Sequence, residues 1–246
     1  MRPKGHYKGY SIEALSGIDI ALWDIIGKYF GKPIYKLIGG KYRDKLYTYY
    51  GSIAYTERGE LLDEVKKYLD MGFKAIKLKI GFGVREDIER IKTIREELGY
   101  DFELFLDATS AYNVTKAIKL ATSVERYEIS WFEEPVPPED LEGYKEIRKK
   151  TSIPIAGGES LFTKIDFKNY ITEGALDIIQ PSVSRTGGIT ETKKILALAE
   201  AYDLMYAPFV GFNSVVSLAA SMHLSTSSPI FYVQEYDPNP LSLIHI

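Results

Sequence analysis

Cysteine is missing from all 246 residues, which excludes disulfides and thiol chemistry and leaves oxygen or imidazole to hold any metal. Charge of one sign is missing too. A net charge of −3 offers no electrostatic footprint for nucleic acid or an anionic membrane. No apolar run approaches the ~18–20 residues that span a bilayer, and the opening MRPKGHYKGY has no signal-peptide apolar region, so a cytoplasmic protein is expected. With only two Gln, four Asn and four Met beside abundant Lys, Glu, Ile and Tyr, the composition leans towards a thermophile. The rest is ordinary for a globular chain: 45% hydrophobic and 26% charged residues, in a length close to that of one β/α barrel.

From Ser11 to Phe30, apolar residues recur at helical spacing (Ile12, Leu15, Ile18, Ile20, Leu22, Trp23, Ile26), with Ser11 as N-cap and Gly31-Lys32-Pro33 as the stop. A short helix over 34–37 ends at Gly39-Gly40. Beyond Leu46 the pattern alternates. Strands are predicted over 46–54, 73–80, 102–108, 129–134, 154–159, 175–181, 204–209 and 231–236. Helices are predicted between them over 57–71, 85–98, 114–126, 139–150, 163–173, 188–202 and 213–226. Eight strands with seven intervening helices predict an α/β fold, a TIM-type (β/α)₇β barrel over 46–246, with 1–45 as a helical lead packing on it. The tail Leu241-Ser242-Leu243-Ile244-His245-Ile246 carries no stop signal, so a barrel truncated at its C-terminus is expected.

Asp107, Glu133 and Glu159 stand 26 residues apart, each closing a short apolar run. That interval is about one strand, one helix and two loops, so each acid falls at the C-terminal end of a successive strand, where such barrels keep their active sites. Lys77 and Lys79 close the run one repeat earlier. Residues two apart on a strand share a face, and the outer face of a barrel strand must be apolar; Ile76, Leu78 and Ile80 fill it, and the lysines face the axis. A solvated lysine pair suits an open antiparallel sheet better. Two close ammonium groups repel, which lowers the pKa of one and makes it a usable base.

Singly, each acid has an ordinary reading: Asp107 as a strand-end turn residue, Glu133 as half of a Glu-Glu pair, Glu159 as a helix-entry acid. Three converging acids repel unless a cation neutralises them, and all-oxygen ligation selects Mg²⁺ first and Mn²⁺ second. Glu134, the next residue along the strand, is expected to point away from Glu133. His223 falls inside a helix and His6 and His245 near the termini, none of them placed for catalysis. Arg185 sits in a loop within reach of an acidic substrate, though loop arginines are usually solvated.

In these residues the chain resembles the enolase superfamily, in its mandelate racemase and muconate-lactonising branch, over almost its whole length. The marks are Ser16-Gly17-Ile18-Asp19-Ile20-Ala21-Leu22-Trp23-Asp24, Lys77-Leu78-Lys79, Phe132-Glu133-Glu134-Pro135, Gly157-Gly158-Glu159-Ser160, and Asp177-Ile178-Ile179-Gln180-Pro181 through Gly187-Gly188-Ile189. The run from Glu133 to Thr190 looks most like the galactonate and gluconate dehydratases. The resemblance implies a (β/α)₇β barrel, Mg²⁺ on Asp107, Glu133 and Glu159, and abstraction of a proton α to a substrate carboxylate. It also implies that Glu235, in Val233-Gln234-Glu235, contacts the substrate, which makes it the best acid candidate.

The departures from the family pattern are as informative. Where the family's racemases and dehydratases place an Asp and a partner His on the next strand, this chain has Ser182 and Phe209; the muconate-lactonising branch would have Lys at 182. Thr109 stands where the family often has Asn or an acid-catalyst His. Two-base racemisation is thereby disfavoured, and Lys79 is left as the obvious base. The family's N-terminal capping domain, which selects the substrate, is expected to precede this chain or to be separately encoded. Without it, Tyr112, Phe209 and Phe212 are expected to stand exposed at the barrel mouth and to favour a homo-oligomer. The leading expectation is a Mg²⁺-dependent lyase acting on a sugar acid, with Lys79, Lys77 and Glu235 as its catalytic groups. The alternatives are an epimerase or cycloisomerase of the same chemistry, and a non-catalytic or split metal-binding barrel.

Overall fold

The computed structural model describes residues 7–56, 58–211 and 214–236. Among the described residues eight strands alternate with seven helices in the predicted order. They fall into two compact units, one formed by Thr48–Gly157 with Gly174–Asp177 and the other by the described parts of Met1–Tyr47, Gly158–Glu173 and Ile178–Ile246. Among the described residues no helix is long and apolar enough to cross a membrane.

The first unit holds β1 (Thr48–Ile53), α3 (Arg58–Asp70), β2 (Ala75–Lys79), α4 (Val84–Leu98), β3 (Glu103–Asp107), α5 (Val114–Val124), β4 (Ile129–Glu133), α6 (Leu141–Arg148) and β5 (Ile155–Gly157), with a 3₁₀ turn at Glu125–Tyr127. The five strands pair in parallel in sequence order. On one face Ile76, Leu78, Leu104, Leu106 and Phe132 are wholly buried. α3, α4, α5 and α6 lie side by side in succession. Two of these helices begin at side-chain caps that satisfy otherwise unpaired amides: Asn113 accepts from Lys116 N at 3.0 Å and Asp140 from Gly143 N at 2.9 Å. β5 is shorter than predicted because Gly158 leaves the strand at φ 125°.

The second unit holds α1 (Tyr10–Phe30), α2 (Ile34–Leu37), α7 (Thr163–Thr172), β6 (Ile178–Ile179), α8 (Gly188–Glu200), β7 (Met205–Tyr206), α9 (Val215–Ser227) and β8 (Gln234–Tyr236). β6 and β7 are much shorter than the predicted 175–181 and 204–209. Pro181 and Pro208 bring no N–H to a ladder, so pairing stops before them. α1 begins after Gly9 with no side-chain cap, so Ser11 is not its N-cap.

α1 buries Ile12, Ser16, Ile20 and Gly27, and its specific bonds are polar. Ser16 Oγ accepts from Gly187 N at 2.9 Å, Asp19 Oδ2 from Thr190 N at 3.0 Å, and Trp23 Nε1 donates to Thr190 Oγ1 at 2.9 Å. α8 starts at Gly187-Gly188 with no cap of its own, and Asp19 supplies one from α1. Ile18, Leu22 and Ile25 are left exposed. Gly188 has φ 82°, and a Cβ there would come within 2.4 Å of the Asp19 carboxylate.

Gly188→Ala should therefore lower unfolding free energy by about 1–3 kcal/mol. Gly17→Ala, inside α1 with nothing within 4 Å of the new Cβ, should raise it by about 0.5–1 kcal/mol. Urea unfolding of both checks this; effects of the same sign would contradict the docking of α1 on α8.

Candidate active site

The first unit stacks two layers of side chains on the face opposite its helix-side apolar residues. Register aligns Lys77, Phe105 and Trp131 across β2, β3 and β4, and one step further on aligns Lys79, Asp107 and Glu133. The lower layer is aromatic. Phe105 and Trp131 stack at 3.6 Å between centroids, and Tyr49 from β1 meets both edge-on at 5.2 and 5.3 Å. The Lys77 ammonium lies 5.5 Å over the Tyr49 ring.

The upper layer is ionic. Lys77 Nζ donates to both Glu133 oxygens, at 3.0 and 3.3 Å, and lies 3.4 Å from Asp107 Oδ2. Lys79 Nζ donates to Asp107 Oδ2 at 2.5 Å and to Thr109 Oγ1 at 2.7 Å. Thr109 in turn donates to Asp107 Oδ1 through both its N–H and its hydroxyl. Trp131 Nε1 donates to Glu133 Oε2 at 3.2 Å, joining the two layers. The lysine side chains differ in access: Lys79 is 29% exposed and Lys77 only 2%, as expected if Lys79 reaches further out. In this arrangement the two ammonium groups are held by carboxylates rather than facing each other alone.

Burial raises the Asp107 carboxyl, but the charges of Lys77 and Lys79, with hydrogen bonds from Lys79 and Thr109, outweigh it and hold it below the usual range. Glu134 behaves in the opposite way. Burial, then the charges of Glu133 and Asp107, push it up to about 7. Glu134 lies just past the end of β4 with φ 38°, outside the strand alternation, and its Oε2 accepts from the Ser110 hydroxyl at 3.4 Å. Its Oε1 is buried without a hydrogen-bond partner.

The remaining candidates lie in the second unit. Glu159 is half-buried, and its carbonyl accepts from Arg185 Nη1 at 2.9 Å; Arg185 Nε also lies 3.3 Å from Glu13 Oε1. Arg185 is thus engaged with the protein and is not a solvated loop side chain. Ser182 is buried and shares a hydrogen bond with Ser184 at 2.9 Å. Glu235 is buried, and its Oε2 accepts from the amides of Val210 and Gly211 at 2.6 and 2.8 Å, which fixes the chain just after Phe209. His223, on α9, lies beside Tyr35 with its pKa lowered by burial. His6, His245 and Phe212 lie outside the described residues. Tyr112, in the first unit, is not exposed as expected. It is buried against Phe132 because its hydroxyl is taken by Asp87. Phe209 is half-buried.

Among the described residues no three His, Cys, Asp or Glu side chains are gathered close enough to hold one ion. The donor chemistry of the first unit nevertheless suits a hard divalent cation. Asp107 and Glu133 are adjacent in register and all-oxygen, and Oε1 of the neighbouring buried Glu134 has no hydrogen-bond partner.

Residues 60–245 match a family model described as enolase C-terminal domain-like, and residues 4–39 match one described as mandelate racemase / muconate lactonizing enzyme, N-terminal domain. The D-galactarolactone cycloisomerase of Agrobacterium fabrum is 39% identical over 233 residues, covering 93% of this chain and 61% of that protein. The arabinonate dehydratase of Saccharolobus solfataricus is 38% identical over 224 residues, covering 89% of this chain and 60% of that protein. Among solved structures, a racemase from Streptomyces coelicolor A3(2) with bound magnesium is similar with a TM-score of 0.84 at 34% identity, over 93% of this chain and 67% of that one. The chain therefore spans less than two thirds of the length of these two curated relatives.

Lys77→Met would leave Asp107 and Glu133 buried without their shared cation, and should lower stability by about 3–5 kcal/mol. Adding Glu133→Gln should recover part of that loss. Chemical denaturation measures both, and a loss below about 1 kcal/mol, the scale of an exposed ion pair, would show that the cluster is solvated.

Proposed function

The chain belongs to the enolase C-terminal domain-like family, in its mandelate racemase and muconate lactonizing branch, and on that premise we propose a Mg²⁺-dependent lyase that eliminates water from a sugar acid. Its fold class is that family's, α/β of the TIM-type (β/α)₇β kind. The relatives described above are a cycloisomerase, a dehydratase and a racemase, which supports an enzyme in general. The observation that carries the finer reading is the row Lys79, Asp107, Glu133 at the ends of three successive strands.

In this proposal Lys79 is the base. Its side chain is the most exposed of the row, and its Nζ is held by Asp107 and Thr109. Once deprotonated, its Nζ takes the α-hydrogen as a proton and the C–H electron pair passes to the substrate carboxylate; that pair returns to form the Cα–Cβ double bond as the β-hydroxyl leaves as water with a proton from Glu235, and the resulting enol tautomerises to the 2-keto acid. Lys77 stays beneath as fixed positive charge for the substrate carboxylate. Glu235 is the proposed acid and substrate contact, held in place by the Val210 and Gly211 amides. Asp107 and Glu133 would hold the ion, with Glu159 the third ligand that the family resemblance implies; when bound, the ion would supply positive charge where negative charge develops. The magnesium in the similar racemase structure supports Mg²⁺ as first choice, with Mn²⁺ second. A cycloisomerase is the second reading. It shares the proton abstraction, and the 39% identity to such an enzyme favours it.

Two measurements test this. With Mg²⁺ and a panel of sugar acids the chain should release a 2-keto-3-deoxy acid, and Lys79→Met should slow release by about 10²–10⁴-fold. An isomerised ring-opened or lactone product would select the cycloisomerase; no product from any acid would favour a non-catalytic barrel. Separately, in a Trp23→Phe background Trp131 is the only tryptophan, and its N–H bond to Glu133 makes it a reporter. Mg²⁺ should change its emission, and Glu133→Gln should remove the change. Emission indifferent to Mg²⁺ would sink the metal assignment.

A further inference from the structure

One buried cation in the first unit plays no part in the chemistry above. Arg90, on α4, is 1% exposed. Its Nη1 donates to the carbonyl of Lys79 at 2.8 Å and its Nη2 to the carbonyl of Ala54 at 3.3 Å. One planar fork thus bridges the residue just past β1 and the last residue of β2, a geometry that a single-point ammonium cannot reproduce. The guanidinium lies 5.2 Å from the ring centres of both Tyr55 and Phe82, whose outer faces meet solvent. Its Nε has no hydrogen-bond partner, and Asp87 Oδ1, 3.9 Å from Nη1, has none either. Burying a guanidinium this incompletely satisfied is unfavourable, so carbonyl satisfaction alone is a poor reason for it.

The peptide that Arg90 grips is held from its other side as well. Ile80 N–H donates to the Asp107 carbonyl at 2.9 Å. Gly81 N–H donates to Asp87 Oδ2 at 3.0 Å, an oxygen that also accepts from the Tyr112 hydroxyl. Gly81 has φ 110°, and a Cβ there would meet Ala111 at 2.7 Å, so this corner is built for one backbone path. We infer that Arg90 is a positioning residue for Lys79, clamping the root of the lysine while Asp107 and Thr109 hold its tip. A four-carbon stem fixed at both ends has little room to wander, and proton transfer is sensitive to displacements of about 1 Å.

This inference rests on Lys79 being the base, and its test separates the two claims. Arg90→Met should lower kcat for product release about 10–100-fold while KM and the Mg²⁺ response of Trp131 stay within about twofold, because substrate and metal binding do not use Arg90. Arg90→Lys, which keeps the charge and one donor, should fall between parent and Arg90→Met, and it carries the test if the methionine variant does not fold. Amide exchange supplies the readout independent of turnover. Ile80 and Gly81 should exchange at least about tenfold faster in the variants while Leu104, on β3, is unchanged. Unchanged kcat in a folded variant would overturn the inference, as would Leu104 accelerating in step with Ile80, which assigns Arg90 to global stability. Should the parent release no product, the proposed function fails, and the amide pattern alone decides whether the clamp exists.

Discussion

Everything proposed for this chain depends on one buried interaction, the Lys77 ammonium set between Glu133 and Asp107 above an aromatic floor. Both acids and the lysine are all but inaccessible to solvent, and no fold keeps such charges there without partners. The lysine is what lets two carboxylates occupy neighbouring strand ends. Removing water from around them also strengthens every field they exert on whatever enters above. Lys79, one step further out along β2, inherits that field while remaining partly exposed.

Much of this was legible in the sequence because strand geometry is simple. Period two places Lys77 and Lys79 on one face, and a repeat of 26 residues places Asp107 and Glu133 at equivalent strand ends, where the parallel register aligns them. The parts that were not legible lie where the strands stop. Thr109, with φ 46°, folds its hydroxyl back onto Asp107 and Lys79, and Glu134, with φ 38°, leaves the strand and accepts from the Ser110 hydroxyl. Left-handed residues after a strand break the alternation on which the sequence argument rests, and neither Thr nor Glu advertises that conformation. Arg90 was hidden for another reason. One of three arginines on a charged helix, it looks solvated until the carbonyls that it reaches are seen.

The lead helix gives the converse lesson. Its apolar spacing predicted a helix, and of those residues Ile12 and Ile20 are buried, while Ser16 and Asp19 make its specific bonds to the start of α8. Periodicity identifies a helix correctly but cannot say which face is used when the contact is made through small residues and a trans cap. Ser182 and Phe209, the positions at which the family resemblance implies a second base, lie in the same unit.

That lysine is open to one direct measurement. In D₂O with Mg²⁺ and a sugar acid that the chain accepts, proton NMR should show the substrate's α-hydrogen washing out in the parent protein. In Lys79→Met it should persist, although the metal response of Trp131 is retained. Washout that continues in Lys79→Met would place the base elsewhere and contradict the account.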